Sequence, residues 1–262
     1  MTAKTNGAIA EGHYARKQLF CRNRLISWSH RRRFEIARDM ARPFAGLRLV
    51  DYGCGDGTFL AMLGQSDHAP AFSLGLELSD EVVNDCRRRL GQEGRIEFAR
   101  IGDPQSRQHD GTFDALFCME VMEHVCDWGP MFEAFERLLR PGGTLVISVP
   151  VEIGLALPIK LAARRVAAWR GMKDYPGEPP YTWSEWFAGV FAGDRQHFER
   201  PMQRWHDGSC SYGHKGFNWK VLRAELAKRF DFERVTGSPV VWLPTACASQ
   251  AWLRLRTRMT SG

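Results

Sequence analysis

The chain has 262 residues, of which 44% are hydrophobic and 25% charged, and its formal net charge is +6. This balance is typical of soluble globular proteins, and the length suits one large α/β domain or one domain with an insertion. The N-terminus has no signal-peptide core, and no apolar run reaches the roughly 18 residues of a membrane span, which together predict a cytoplasmic protein. Seven scattered cysteines without a CxxC pair predict reduced thiols and argue against a cysteine-based zinc site.

Positive charge is concentrated near the N-terminus. Residues 14–42 contain nine basic and two acidic side chains, a net charge of +7, which leaves about −1 for the rest of the chain. We predict that residues 13–43 form a basic helical lid, with Trp28 and His30 facing inward. The basic surface has two interpretations: a solvated helix face, or a surface for a phosphate-bearing substrate, a nucleic acid or an anionic membrane.

After this segment, strand and helix patterns alternate along the chain. Apolar or alternating stretches predict strands at residues 47–53, 71–78, 95–100, 113–119 and 144–150, and two final antiparallel strands at 231–237 and 249–258. Amphipathic stretches predict helices at residues 56–63, 80–90, 130–140 and 219–230. This alternation predicts an α/β fold in which a single domain, residues 1–262, is built on a doubly wound, mostly parallel sheet of seven strands. Such sheets bind ligands beyond the carboxyl ends of their strands.

The loop after the first predicted strand has the sequence DYGCGDG, from Asp51 to Gly57. Glycines let backbone approach a ligand closely, and the following helix offers free N–H groups. A dinucleotide-binding loop would have the spacing GxGxxG and would hold a pyrophosphate. Here the spacing is GxGxG, and the carboxylates of Asp51 and Asp56 would repel a pyrophosphate. The loop therefore suits a ligand that carries an ammonium group and no phosphate.

Five motifs in order resemble those of class I S-adenosylmethionine-dependent methyltransferases, which are Rossmann-like, and in particular the ubiquinone-pathway O-methyltransferases. They are the glycine loop, Glu77 at the end of the second predicted strand, and the segments IGDP, FDALFCMEVMEHV and LLRPGGTLVISVP. The resemblance covers residues 47–150, and residues 217–258 more loosely. It implies S-adenosylmethionine as cofactor and methylation of a hydroxyl oxygen on a small-molecule or lipid-linked acceptor.

The resemblance also implies roles for individual residues. Asp51 would hold the ammonium group of the cofactor, Glu77 both ribose hydroxyls, and Asp103 the adenine amine, because carboxylate oxygens accept hydrogen bonds from all three. The other residues implied to line the cofactor are Gly53, Cys54, Gly55, Asp56, Gly57, Leu78, Gly102, Met119 and Glu120.

The segment MEVMEHV that follows the fourth predicted strand carries candidate residues for the acceptor. Glu120, Glu123 and His124 have the spacing i, i+3 and i+4, which places them on one face of a helical turn. Two carboxylates and an imidazole suit a hard divalent ion such as Mg²⁺ or Mn²⁺. Without a metal, the histidine would either act as the base that deprotonates the acceptor hydroxyl or have only a structural capping role.

A later histidine is the candidate that would complete this site. In small-RNA 3′-terminal 2′-O-methyltransferases, an ExxEH segment is completed by a histidine in a DHxFEW segment, and His214 in YGHKGFNW has the corresponding position. The chain departs from that pattern by the extra Gly216 and by Asn218 in place of the acid. His124 and His214 are therefore candidates both as catalytic bases and, with Glu120 and Glu123, as metal ligands.

Residues 151–216 are predicted to form an inserted substrate-binding region. Its first part is apolar with basic residues grouped toward the end, and its second part is rich in aromatic residues and proline. It would serve either as a packed lid or as an interfacial helix that reaches a lipid-linked acceptor at the inner face of a membrane.

Two further functions stay open. One is RNA 2′-O-methylation at a Glu/Glu/His/His metal site, which the basic N-terminal segment and His214 favour, although the chain has no recognisable RNA-binding module. The other is a non-catalytic protein that binds the cofactor and a partner. The intact glycine loop, Glu77 and Asp103 argue against that second possibility.

Overall fold

The computed structural model describes residues 3–20, 24–91, 94–169, 179–204, 210–242 and 244–259. Parts of the predicted insertion, residues 170–178 and 205–209, thus lie outside the described residues. The strands within these ranges are β1 (Arg48–Tyr52), β2 (Phe72–Glu77), β3 (Ile96–Arg100), β4 (Phe113–Met119), β5 (Leu139–Pro150), β6 (Met202–Arg204), β7 (Cys210–Tyr212), β8 (Phe230–Ser238) and β9 (Gln250–Thr257). The α-helices are α1 (Ala3–Ala10), α2 (Arg24–Ala41), α3 (Thr58–Gly64), α4 (Asp80–Leu90), α5 (Gly129–Leu138), α6 (Ala156–Trp169), α7 (Trp183–Val190) and α8 (Trp219–Leu226).

Seven of these strands form one sheet in the order β3-β2-β1-β4-β5-β9-β8. β1 pairs in parallel with β2 on one side and with β4 on the other, and β2 pairs in parallel with β3. The strand order reverses between β1 and β4, so the carboxyl ends of these two strands mark the switch point at which such sheets bind ligands. The predicted fold class, a doubly wound and mostly parallel seven-stranded sheet, is confirmed.

The chain forms two compact units. The first comprises Met1–Met119, Glu133–Val146 and Arg256–Gly262, and the second comprises Glu120–Phe132 and Ile147–Leu255. The glycine loop and the basic N-terminal segment thus belong to the first unit. Glu120, Glu123, His124, His214 and the predicted insertion belong to the second. Within the described ranges, no helix combines the length and the apolar character that crossing a membrane requires.

The core of the first unit is built on β1 and β4. Leu49 and Val50 are fully buried although neighbouring side chains of a strand point to opposite faces, so β1 is covered on both faces, as expected for a parallel sheet. Helix α3 supplies part of this cover, because Phe59 packs on Phe117 of β4 with ring centroids 5.1 Å apart. The helix begins directly after the glycine loop, so its packing fixes where that loop lies.

The second unit has a core of its own around Trp252 of β9, which is completely buried. Its indole N–H donates to Ser238 Oγ at 3.2 Å, and the Ser238 hydroxyl donates to Gln250 Oε1 at 2.9 Å. The polar group of this tryptophan is therefore satisfied inside the core, as burial requires.

The structure differs from the sequence prediction at β5 and in the insertion. The segment Pro141-Gly142-Gly143 was expected to separate helix 130–140 from a strand at residue 144, but β5 already begins at Leu139. The Thr257 hydroxyl donates to the Arg140 carbonyl at 3.0 Å, which holds this segment against β9. In the insertion, β6 and β7 form an antiparallel pair in which Met202 lies opposite Tyr212, and the sequence did not predict this hairpin.

Candidate active site

The glycine loop has a backbone conformation that suits its three glycines. Gly53, Gly55 and Gly57 have φ values of +78°, +53° and +72°, in the left-handed region that favours glycine. A Cβ on Gly57 would also lie 2.8 Å from Leu90 Cδ1 and 3.0 Å from the Phe98 ring, whereas a Cβ on Gly55 would meet open space. Gly57 is therefore required by packing, and Gly55 leaves the loop open to a ligand.

Glu77 at the end of β2 holds the glycine loop in place. Its Oε2 accepts from the Gly55 N–H at 2.9 Å, and its Oε1 accepts from the Leu78 N–H at 2.7 Å. The side chain is half-buried, and each carboxylate oxygen has a second lone pair for a further donor. Glu77 thus has a structural role that the sequence did not indicate, and its predicted contact with two ribose hydroxyls stays a prediction.

Asp51 in β1 carries a buried carboxyl group with an incompletely satisfied oxygen. The residue is 1% exposed, and within the described part of the chain its Oδ1 has no hydrogen-bond partner. Burial, and to a smaller extent the negative charge of Glu77, raise the pKa of the Asp51 carboxyl from 3.8 to about 8. A ligand ammonium group at this position would supply both the missing hydrogen bond and the missing positive charge. Asp51 therefore fits the ammonium-binding role predicted for it.

Asp56 is occupied by the protein itself. Its Oδ1 accepts from the Thr58 N–H at 3.2 Å and from the Thr58 hydroxyl at 2.7 Å. Helix α3 begins at Thr58, after the loop, and not at residue 56 as predicted. Its Oδ2 accepts from the Ala15 N–H at 3.0 Å. A Cβ on Gly12 would clash with this carboxylate, so glycine permits the close approach. Asp56 thus joins the N-terminal segment to the glycine loop, and its predicted cofactor contact stays a prediction.

The described residues of the N-terminal segment include a helical turn at Ala15–Leu19 and helix α2, and part of the charge of this segment is used internally, whereas its role as a lid stays a prediction. Arg33 Nη1 donates to the Tyr14 hydroxyl at 2.9 Å, and the same oxygen lies 2.8 Å from His30 Nδ1. His30 is buried, which confirms the prediction that it faces inward. Trp28 is 48% exposed, so the corresponding prediction for it is wrong. The buried stripe of α2 passes through His30 and Phe34 at a spacing of four residues, and Trp28 lies off that stripe.

The remaining predicted cofactor residues of the first unit differ in exposure. The Leu78 side chain is 59% exposed and the Asp103 side chain is half-buried. Cys54 is 8% exposed, so its side chain contributes to packing of the loop. The Cys86 thiol, which is fully buried, donates to the Gly55 carbonyl at 3.3 Å and supports the same loop. The contacts predicted between these residues and the cofactor, including those of Gly102 and Met119, stay predictions.

Glu120, the first residue of the second unit, has an unusual backbone conformation. Its φ is +55°, and it is the one non-glycine residue with positive φ in the described ranges. Such a conformation costs about 1–3 kcal/mol and is typical of functional sites. The Glu120 N–H donates to the Ser148 carbonyl at 2.9 Å, and Oε1 accepts from the Ser148 hydroxyl at 3.1 Å. Ser148 of β5 therefore fixes both the backbone and the carboxylate of Glu120.

Three of the four predicted metal ligands lie together in the second unit. Ligand atoms of Glu123, His124 and His214 are all within 4.8 Å of one another, and the two imidazole ring centroids are 5.0 Å apart. Glu120 does not join them, so the predicted common face is wrong for this residue. The reason is local: residues Met122–His124 form a 3₁₀ turn, and the left-handed φ of Glu120 interrupts the i, i+3, i+4 geometry before it. We call Glu123, His124 and His214 the histidine cluster.

The tautomer of His124 follows from its surroundings. Its Nδ1 lies 2.9 Å from the Tyr212 carbonyl, which can only accept a hydrogen bond, so Nδ1 carries the proton. The Nε2 atom then has a free lone pair in the neutral ring, and it lies 3.8 Å from Glu123 Oε1. This arrangement suits either a base that takes a proton at Nε2 or a metal ligand at the same atom.

Several residues that hold the histidine cluster were not predicted from the sequence. Arg200 Nη2 donates to the carbonyl of Glu123 and, at 2.8 Å, to that of Gly213, the residues that precede His124 and His214. Lys215 Nζ lies 2.9 Å from Glu185 Oε1, which ties α7 to the residue after His214. The Lys215 ammonium group lowers the pKa of the Glu185 carboxyl, and the backbone of Thr182 adds to this effect.

The prediction that the cysteines are reduced is wrong for one pair. Cys126 and Cys210 form a disulfide with Cα atoms 6.4 Å apart. Cys54, Cys86, Cys118 and Cys247 are free thiols, and Cys21 lies outside the described residues. The two bonded cysteines are 84 residues apart in the chain, so no local spacing pattern indicated that they meet.

Comparisons with known proteins agree with this geometry. A family model described as a methyltransferase domain matches residues 50–147. The chain is 33% identical over 113 residues to a ubiquinone biosynthesis O-methyltransferase of Thiobacillus denitrificans, covering 42% of this chain and 47% of that protein. It is 30% identical over 166 residues to the enzyme of the same name from a Caulobacter species, covering 60% and 64%. The chain therefore spans about half to two thirds of the length of these curated relatives.

A solved structure supports the fold. A protein from Mesorhizobium loti, described as an S-adenosylmethionine dependent methyltransferase, matches with a TM-score of 0.50 and 17% identity. The match covers 86% of this chain and 97% of that one, so the likeness extends beyond the residues that the family model matches.

Proposed function

Because this chain carries a class I S-adenosylmethionine-dependent methyltransferase domain, we propose that it transfers a methyl group from that cofactor to a hydroxyl oxygen of a small-molecule or lipid-linked acceptor. The observation that carries the proposal is the state of Asp51, a buried carboxylate whose Oδ1 has no partner in the described part of the chain. A ligand with an ammonium group satisfies this carboxylate, whereas a pyrophosphate would be repelled.

Three carboxylates of the first unit would bind the cofactor. Asp51 would accept from its ammonium group, Glu77 from its ribose hydroxyls and Asp103 from its adenine amine, and the exposed Leu78 would offer the ring an apolar contact. When bound, S-adenosylmethionine supplies a methyl group on a positively charged sulfur, and the sulfur is the leaving group when an oxygen nucleophile attacks the methyl carbon. The task left to the protein is to orient the acceptor and to take the proton from its hydroxyl group.

The histidine cluster of the second unit suits this proton transfer. In the first mechanism, His124 Nε2 accepts the proton, because Nδ1 is already committed to the Tyr212 carbonyl. In the second mechanism, Glu123, His124 and His214 bind Mg²⁺ or Mn²⁺, which would hold the acceptor oxygen and lower the pKa of its hydroxyl. The resemblance of the sequence to O-methyltransferases supports oxygen as the methylated atom in both cases.

Exposed apolar side chains of the insertion support a lipid-linked acceptor. Trp183, Phe187 and Phe191 follow one another at four-residue spacing on and after α7, and they are 79%, 54% and 79% exposed. Leu155, just before α6, and Ile159 within that helix are also more than half exposed, and α6 contacts α7. Large exposed aromatic and aliphatic side chains of this kind favour an interaction with a lipid chain or a membrane surface.

A transfer assay tests the proposed function. The protein would be incubated with S-adenosylmethionine labelled in its methyl group and, in separate reactions, with a total bacterial lipid extract, a small-molecule extract and total RNA. We expect label in the lipid or small-molecule fraction, and none with the Asp51→Ala variant. Label in RNA alone would contradict the proposal and support RNA 2′-O-methylation. Binding of S-adenosylhomocysteine without transfer to any fraction would instead support a non-catalytic protein.

RNA 2′-O-methylation is the second candidate function, and the presence of His214 in the histidine cluster favours it. The basic segment supports RNA binding less strongly in the structure than its charge suggested from the sequence, because several arginines of α2 are paired within the segment. Arg32 forms an ion pair with Glu35 at 2.9 Å, and Arg31 donates to the Leu19 carbonyl. A short RNA whose 3′-terminal 2′-hydroxyl is replaced by hydrogen would accept no label if this hypothesis holds.

We expect Glu77→Ala to weaken S-adenosylhomocysteine binding by about 1.5–3 kcal/mol, or roughly 10- to 150-fold in Kd, the range for hydrogen bonds to a charged group. Calorimetry would measure it, with the exposed Glu81→Ala as a control of equal charge. Because Glu77 also holds the Gly55 N–H, the comparison would be repeated with an analogue that lacks both ribose hydroxyls. An equal loss for both ligands would remove Glu77 from the ribose role.

Asp56→Ala is expected to release the N-terminal segment from the glycine loop, because the buried Ala15 N–H loses its acceptor. Hydrogen exchange of residues 7–20 should become faster, and the cofactor should dissociate faster if the segment is a lid. Asp67→Ala, which removes an exposed carboxylate, is the matched control. Unchanged exchange in the Asp56 variant would show that this contact does not hold the segment.

Vesicle binding tests the membrane interpretation of the insertion. We expect the chain to sediment with phosphatidylglycerol-containing vesicles, and Trp183→Ser/Phe187→Ser to weaken this binding about tenfold or more, since each lost aromatic side chain removes apolar burial. Trp242→Ser removes an equally exposed tryptophan from another segment and serves as control. If the unaltered protein does not bind vesicles, the exposed residues have another partner.

A further inference from the structure

The histidine cluster is assembled from two segments of the second unit that are distant in sequence. One is the turn Met122–His124, and the other runs from β7 to His214. β7 contacts the turn, and the Tyr212 carbonyl binds His124 Nδ1. The geometry of the cluster therefore depends on what holds these two segments together.

The disulfide joins these same two segments. Cys126 lies two residues after His124, and Cys210 lies four residues before His214. The bond therefore closes a loop of residues 126–210, and His124 and His214 lie just outside its two ends. Besides this covalent link, the segments share the hydrogen bond from His124 and the two hydrogen bonds that Arg200 donates to the carbonyls of Glu123 and Gly213.

The hairpin that carries Cys210 is short and does not join the main sheet. β6 and β7 have three residues each and pair with one another rather than with the main sheet. All three residues of β6 are exposed, and so is Cys210. Short two-stranded hairpins are marginally stable alone, and elements with little buried surface open most readily. A covalent bond at this place thus adds to the contacts of Tyr212 and Lys215 that position His214.

We propose that Cys126–Cys210 is a thiol–disulfide exchange site whose redox state sets the geometry of the histidine cluster. The inference rests on the proposed function, because it concerns the site at which the acceptor would be deprotonated. The disulfide form holds the His124 and His214 rings 5.0 Å apart. In the dithiol form the covalent link between the two segments is gone and non-covalent contacts alone join them, so the rings separate and proton transfer slows.

The exchange needs a dithiol reductant as co-reactant. A thiolate of the reductant attacks Cys210 Sγ, which the exposure of this residue permits, and Cys126 leaves as a thiolate. The second thiol of the reductant then displaces Cys210 and closes the reductant's own disulfide. Two electrons and two protons pass from the reductant to the protein, which ends with two cysteine thiols.

Nuclear magnetic resonance with labelled histidine measures the cluster without an acceptor or a metal. We expect a cross-peak between the His124 and His214 rings in the oxidised protein and its loss after treatment with dithiothreitol. Single His→Gln variants would assign the ring signals. Cys126→Ser/Cys210→Ser should lack the cross-peak without any reductant. Cys247→Ser removes a free thiol from the same unit and serves as control. Like the unaltered protein, this variant should show the cross-peak when oxidised and lose it on reduction.

Alkylation and calorimetry distinguish the remaining outcomes. Mass spectrometry after alkylation must show Cys126 and Cys210 protected in the oxidised protein, and modification of both there would overturn the proposal. A cross-peak that is equal in both redox states would overturn it as well. Loss of the dispersed spectrum and of S-adenosylhomocysteine binding on reduction would show a bond needed for folding, which also contradicts a local switch. Failure of the oxidised protein to bind S-adenosylhomocysteine would instead count against the proposed function and leave the cross-peak result standing.

Discussion

S-adenosylhomocysteine should bind about 30-fold more tightly at pH 7 than at pH 5.5, and Asp51→Asn should remove this dependence. Burial and the charge of Glu77 raise the pKa of Asp51 to about 8, so the carboxyl group is protonated over this range in the ligand-free protein. The ligand ammonium group requires the carboxylate, so binding releases a proton and gains nearly tenfold in affinity per pH unit below that pKa.

Calorimetry at several pH values measures this effect. A ligand without the amino-acid part, 5′-methylthioadenosine, should bind with an affinity that hardly changes with pH, and Glu97→Gln provides a variant with an altered exposed carboxylate as control. The same pKa shift makes the free energy of unfolding of the ligand-free protein depend on pH. Because the folded protein holds the Asp51 proton more tightly than the unfolded chain does, the stabilising contribution of the protonated carboxyl is complete below pH 3.8 and is lost as the pH rises through about 8. A flat affinity profile in the unaltered protein would remove Asp51 from the ammonium site.

His124→Ala should lower the rate of methyl transfer about 10²- to 10⁴-fold, the range for loss of a positioned acid–base group, and leave S-adenosylhomocysteine binding unchanged. The rate would be measured with the extract fraction that accepts label. His197→Ala, which removes an exposed histidine of the same unit, is the matched control. Retention of full activity in the His124 variant would exclude this residue as base and as metal ligand.

Chelation then separates the two mechanisms. We expect turnover to persist in EDTA, because the chain departs at Gly216 and Asn218 from the metal-binding motif that it resembles. His214→Ala should in that case have a smaller effect than His124→Ala. Loss of activity in EDTA that Mg²⁺ or Mn²⁺ restores, together with equal losses in both histidine variants, would establish the metal mechanism instead.

Local patterns predicted the main sheet and the glycine loop to which the cofactor is proposed to bind. The strands have short periodic or continuous apolar stretches, and the loop has glycine at its positions of positive φ. The sheet and the loop therefore depend on residues that are close together in the sequence. The N-terminal helix was also predictable, but the orientation of Trp28 was not. The helix already has His30 and Phe34 for its buried stripe, and the sequence does not reveal which stripe the fold selects.

The contacts that assemble the histidine cluster could not be read from the sequence in the same way. Arg200 is 77 residues from Glu123, and Cys126 is 84 residues from Cys210. The sequence around Arg200 has no periodic pattern that indicates its partner, and the positions of seven scattered cysteines do not indicate which two are bonded. His214 was nevertheless found as a candidate because a resemblance between motifs carries information about distant pairs. Glu120 was misassigned because helical spacing was applied to a segment that is not an α-helix.

The double use of Glu185 has a consequence for engineering. This residue closes the capping box with Thr182 at the start of α7 and also pairs with Lys215, the neighbour of His214. A library that varies the exposed face of α7 to accept a different acceptor should randomise Trp183 and Phe187 and keep Thr182, Glu185 and Lys215 fixed. If α7 contacts the acceptor as proposed, variants at Trp183 and Phe187 would change specificity, whereas variants at Thr182, Glu185 or Lys215 would also displace His214 and lower turnover.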